Sequence, residues 1–254
     1  MSGFAGTGPI KGISVFVAGY ALVDLVPVLL PDTSVLQGLR VQDLADVLLV
    51  FLLVALYVRL GLQADLWRSW SLRGLNALAL VMMVQGHSIH LAANAIAGDL
   101  GVEGGGLADG GAHPGASFGL IDFLDEHWGH TELHLAFLIM AALFIARSRP
   151  VRDDSAVPRG SAGGRVELLV AAFVYGVLLA GDAVEGQTVP LMLPAGIALC
   201  VWGLWPYLSG GSRSAERAPV SLHRRFFAVS LAVAAASLLV YGLVMRGYPQ
   251  FSAL

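Results

Sequence analysis

GLNALALVMMVQGHSIHLAANAIAG, residues 74–98, runs without a single Asp, Glu, Lys or Arg. About 20 helical residues suffice to cross the roughly 30 Å hydrocarbon core of a bilayer, so this stretch is long enough to span one. Near its end it nevertheless carries His87, His90 and Asn94. At about 100° per residue, His87 and Asn94 fall within roughly 20° of one another and His90 some 60° to the side, so the polar groups form a stripe. An apolar span with one polar stripe belongs in a bundle of such spans, its stripe turned inward.

Working outward, six further stretches are long and apolar enough to cross. The spacing predicts seven spans at about 12–31, 41–62, 74–98, 119–146, 165–187, 190–209 and 224–246, in a single transmembrane domain covering 1–254. The composition agrees: of 254 residues, 56% are hydrophobic and only 13% charged, far from soluble averages. The fold class expected is an all-α, seven-transmembrane-helix bundle. The first apolar run has no convincing cleavage site after it and reads as a retained span rather than a signal peptide. Pro27, Pro194 and Pro206 are expected to kink or end helices.

Charge sets the expected orientation. With the N-terminus cytoplasmic and the C-terminus extracytoplasmic, thirteen Lys and Arg residues fall inside and only Arg40 and Arg246 outside. Trp67, Trp70, Trp202 and Trp205 then mark the inner boundary as an aromatic belt. Residues 61–73 read as a short amphipathic helix along that surface. The outer loop, about 99–118, is glycine-rich and carries Asp99, Glu103, Asp109 and His113, which suits a flexible segment, either a lid or a plain linker. No basic stripe is present to grip nucleic acid. The expected location is a cell's cytoplasmic membrane, of bacterial type, with membrane lipid as its surroundings.

Three spans bring ionisable groups to one depth. Span three ends with His87 and His90; span four begins with Glu126, His127, His130 and His134; span five ends with Asp182 and Glu185. Because successive spans reverse direction, these groups meet on the outer side. Ionisable groups in a bilayer cost roughly 2.5–3.5 kcal/mol each on insertion scales, so their coincidence needs a reason. Glu126, His130 and His134 make an i, i+4, i+8 ladder on one helical face, with Asp125 and Glu132 pointing nearly the opposite way. Tyr175, Asp182 and Glu185 share a face of span five. Asp24, Asp43 and Asp46 add acids at similar depth from spans one and two, and the inner half has almost none. A polar cavity open to the outer face is the expectation. Span-end acids such as Asp43, Asp99 and Asp122 fit a merely solvated role, His113 that of a surface residue, and His90 and His127 fit a carbonyl-bonded structural role as well as ligation.

The single cysteine, Cys200, excludes both an intrachain disulfide and a cysteine metal cluster. Metal ligands must then be imidazole, carboxylate, amide or backbone groups, and a histidine-rich site with carboxylates suits zinc, iron or copper. The expected ligands are His87, His90, His130, His134 and Glu185, with Glu126 and Asp182 as catalytic acid–base groups or as partners that orient an imidazole. His130-Thr-Glu-Leu-His134 is not the zinc-protease motif, because its Glu132 points away from the pair. The function expected is a membrane metalloenzyme, with zinc foremost, hydrolysing or oxidising a lipid-like or small apolar substrate. Two other readings use the same residues: a proton or metal-ion transporter, and a haem-binding electron carrier with axial histidines from spans three and four.

Seven spans and a histidine-held zinc resemble the architecture of the alkaline ceramidase and adiponectin-receptor superfamily. The resemblance ends at architecture, since their last-span HxxxH pair has no counterpart here. Desaturase-type histidine boxes are absent, and the only lysine, Lys11, lies at the wrong end of the chain for a retinal Schiff base.

Overall fold

The structure, a computed structural model, describes residues 8–31, 33–36, 39–99, 119–121, 123–147, 162–208 and 221–251. Within them, seven helices are long and apolar enough to cross a membrane, with mean hydropathies of 1.3 to 2.2. They are α1 (Pro9–Leu29), α2 (Val41–Gln63), α3 (Trp70–Asp99), α4 (His130–Arg147), α5 (Ala162–Glu185), α6 (Val189–Leu208) and α7 (Leu222–Val244). A π-helical stretch, Phe123–Gly129, leads directly into α4, and a small antiparallel ribbon, β1 (Ser34–Leu36) with β2 (Leu39–Arg40), joins α1 to α2. The chain is an integral membrane protein by the length and composition of these helices.

Local chemistry sets the helix ends. Pro9 opens α1, where a missing N–H costs nothing and the ring presets φ. Pro27 lies near the far end of α1, and the helix stops two residues later. The Arg40 backbone N–H donates to the Asp43 carboxylate at 2.8 Å, satisfying the start of α2. Asp43 is therefore a buried capping group and not the solvated span-end acid expected. Ser221 accepts from the Arg224 N–H at 3.1 Å and starts α7.

Two expectations need correction. Residues 61–73 form no separate surface helix. After α2 the chain turns tightly, with Leu66 N–H donating to the Gly61 carbonyl at 2.8 Å, and α3 begins at Trp70, four residues before the expected start. The reason is Leu66, fully buried, which pulls the segment into the bundle. The start of span four is also not α-helical. Across Phe123–Gly129 the bonds run i→i+5, so each residue turns the chain by less than in an α-helix. The ladder assumed for Glu126 and His130 is therefore out of phase.

Glycines let particular helices touch. A Cβ on Gly86 of α3 would stand 2.6 Å from the Gly129 carbonyl oxygen and 2.8 Å from the Leu133 nitrogen, so the two backbones meet at van der Waals distance. Gly176 of α5 meets the Ser230 carbonyl of α7 in the same way. Between these contacts an aromatic core fills the middle of the bundle. Phe16 packs on Tyr57 at 4.8 Å between ring centroids and on Tyr175 at 5.3 Å, while Tyr20 stands edge-on to Tyr175 at 4.8 Å. Phe226 and Phe227 of α7 close the cluster.

A candidate metal site in the bundle

Above this aromatic floor, at the end of the bundle where α1, α3 and α5 finish and α2 and α4 begin, lies a cavity of about 230 Å³. It draws on five helices. His87 and His90 come from α3, His130 and His134 from α4, and Asp182 and Glu185 from α5. Asp24 of α1 and Asp46 of α2 complete the ring. Four imidazoles and four carboxylates thus share one cavity, with no Lys or Arg among the residues lining it.

The imidazoles are held from behind. His134 is fully buried, and its Nδ1 lies 2.8 Å from the His130 backbone carbonyl. A carbonyl can only accept, so Nδ1 carries the proton and Nε2 keeps the lone pair. The same N–H is 3.1 Å from the Thr188 hydroxyl, which in turn donates to the Ala183 carbonyl at 3.5 Å. His134 Nε2 is buried and has no hydrogen-bond partner among the described residues. His87 is fixed in a similar manner, its Nε2–H donating to the Asp46 carbonyl at 3.2 Å and leaving Nδ1 with the lone pair. An imidazole whose far nitrogen is tied to a carbonyl is the usual arrangement of a metal-ligating histidine.

His130 is placed by the turn between α5 and α6. A Cβ on Gly186 would stand 2.7 Å from two atoms of the His130 ring, so only glycine lets the imidazole lie there. The rings of His90, His130 and His134 follow one another at centroid separations of 4.4 and 6.4 Å. Two imidazoles on one tetrahedral zinc, with Zn–N of about 2.0–2.1 Å, have centroids about 5 Å apart. The observed separations bracket that value. Among the described residues no three His, Cys, Asp or Glu side chains yet stand at chelating distance, so a chelate requires side-chain rotation within the cavity.

Two of the four carboxylates are anchored by hydrogen bonds. The Tyr20 hydroxyl donates to Asp182 at 2.6 Å, and the Phe251 N–H donates to Glu185 at 2.9 Å. One oxygen of Asp24 is buried with no hydrogen-bond partner among the described residues. Tyr175, two turns deeper on the face that helical phase gives Asp182, has its hydroxyl 2.7 Å from that of Tyr57.

Of the residues singled out in the sequence, His87, His90, His130, His134, Asp182 and Glu185 line the cavity. The backbone of Glu126 belongs to the π-helical stretch and its side chain lies outside the described residues, as do those of Asn94, Asp99, Asp122 and Asp125 and the whole of 100–118. His127 is exposed and stands off the cavity. Tyr20, Thr188 and Gly186 were not anticipated. Tyr20 precedes Asp24 by four residues on one helical face, a signal that was present; a threonine and a glycine in a three-residue turn carry none. No protein-family model, curated protein or solved structure matches the chain.

Proposed function

We propose that this protein is a membrane metalloenzyme that binds a transition-metal ion, zinc foremost, between His130, His134 and a histidine of α3, and acts on a small or partly inserted membrane-soluble substrate. One observation carries the reading: His134 is buried, its Nδ1–H is committed to a carbonyl, and its Nε2 lone pair has no partner in a cavity rich in carboxylates. A buried base beside several acids, with no cationic side chain lining the cavity, calls for a metal ion or protons. A bound zinc supplies Lewis acidity to a carbonyl or to water. Asp182, held by Tyr20, and Glu126 are the groups to move a proton, and Glu185 is the carboxylate to complete the ligand set. The arginine distribution supports a cavity facing the extracytoplasmic side of a bacterial-type cytoplasmic membrane.

The cavity volume favours this reading over haem, because about 230 Å³ is small beside the roughly 300–1,000 Å³ of ordinary ligand pockets. A second reading, proton transfer, draws support from the Tyr57–Tyr175 hydroxyl pair below the Tyr20–Asp182 bond, which extends polar groups toward the bundle's middle.

The test is elemental analysis of protein purified without chelator. The expected result is about one zinc per chain, with His134→Ala losing at least tenfold in affinity, as removal of a ligand does. Metal-free protein that takes up no zinc, iron or copper on titration, in a fold unchanged by His134→Ala, overturns the metal reading. Proton uptake by vesicles containing that metal-free protein is the result the relay reading expects.

A further inference from the structure

The contact that gathers the histidines also leaves two polar side chains on its far flank. Gly86 of α3 lies against Gly129, Leu133 and the Cβ of Glu132. Around that contact, helical phase turns His87, His90, His130 and His134 to the cavity side, and Gln85 of α3 and Glu132 of α4 to the other side. Both flank the same glycine and so lie at one depth. Gln85 is exposed and Glu132 half-buried, with one carboxylate oxygen buried, and neither has a hydrogen bond to any described residue. The surface around them is apolar: Leu78, Val81, Trp128 and Leu135 are all exposed. In hydrocarbon an amide or carboxyl without a partner costs several kcal/mol, and polar side chains in spans therefore face other helices rather than lipid.

We propose that this α3–α4 flank is the interface of a symmetric homodimer, in which Gln85 of each copy donates to Glu132 of the other. The pair is self-complementary. The amide offers two hydrogens and the carboxyl accepts, so a two-fold axis along the membrane normal makes the same bond twice. A second copy is the partner because one chain holds both halves of the contact at matched depth. The cavities then open on the sides of the dimer away from its axis, and the proposal stands or falls apart from any metal.

The experiment uses full-length protein in lipid nanodiscs and in detergent at a series of protein-to-detergent ratios. In a Cys200→Ser background, one tagged copy carries Gln85→Cys and the other Glu132→Cys, treated with a short thiol–thiol cross-linker. The expected result is a cross-linked heterodimer, absent when the cysteines are placed at the exposed Ile197 of α6. Gln85→Leu is expected to weaken dimerisation about tenfold, and Gln85→Leu with Glu132→Leu no more than either alone, as for a coupled pair. A Leu on a lipid-facing position keeps the fold, and the cross-link reads the contact without removing both groups. Monomer throughout, a dimer indifferent to both substitutions, or cross-linking only through Ile197 overturns the proposal.

Discussion

The hydroxyl of Tyr20 reaches across from α1 to the carboxylate of Asp182 on α5, 2.6 Å away, at the boundary between the aromatic core and the cavity. The bond ties two distant spans and fixes one carboxylate oxygen of the cavity in place. Tyr20→Phe keeps the ring's packing on Phe137 and Tyr175 and removes only the donor. The expected cost is about 1–3 kcal/mol, since Asp182 is left without its buried partner. Thermal unfolding in detergent should read this as a fall of about 2–4 °C per kcal/mol. An unchanged transition would mean that Asp182 finds another donor.

Gly186 offers a sharper test of the site, because its role is purely steric. Gly186→Ala places a methyl 2.7 Å from the His130 ring, which must move. Zinc affinity is expected to fall about ten- to a hundredfold, the scale on which misorienting a ligand acts. Gly163→Ala, where a Cβ meets nothing, should leave affinity unchanged. Equal behaviour of the two variants would remove His130 from the ligand set.

Much of the fold was legible because a bilayer enforces a simple rule: apolar length in the sequence becomes a span. The reversal of successive spans was enough to bring His87, His130, Asp182 and Glu185 to one end. Phase was less secure. The ladder from Glu126 to His134 assumed 3.6 residues per turn, and the π-helical stretch through Glu126 breaks it, with no residue pattern to announce the change. The turn at 186–188 was read only as short, whereas it supplies both the space for His130 and the Thr188 hydroxyl on His134. Such supports depend on helices distant in sequence, and local periodicity does not encode them.

The close approach of α3 and α4 leads to a stability prediction. A methyl on Gly86 would press on backbone atoms of Gly129 and Leu133 that have no rotamer to relax into. Gly86→Ala is therefore expected to cost about 1–3 kcal/mol, the usual penalty of overpacking, and to lower the midpoint of thermal unfolding. Gly74→Ala on the same helix, with open space around its Cβ, should be neutral or slightly stabilising because alanine is the better helix former. A neutral Gly86→Ala would show that the two helices can separate without loss.

The segment after α7 doubles back to the cavity and makes Glu185 dependent on it. Tyr241 donates to the Pro249 carbonyl at 2.6 Å, Gln250 donates through its amide to the Glu185 carbonyl at 2.6 Å, and the Phe251 N–H holds the Glu185 carboxylate at 2.9 Å. Phe251→Pro deletes that one N–H, while Phe251→Leu keeps it and alters only the ring over Tyr241. If the hook positions Glu185, the proline variant alone should change zinc affinity, by about tenfold for a charge-assisted bond of roughly 1.5 kcal/mol, and Glu185→Gln should abolish the difference between the two. A change that persists in the Glu185→Gln background would place the effect of Phe251 elsewhere than on this carboxylate.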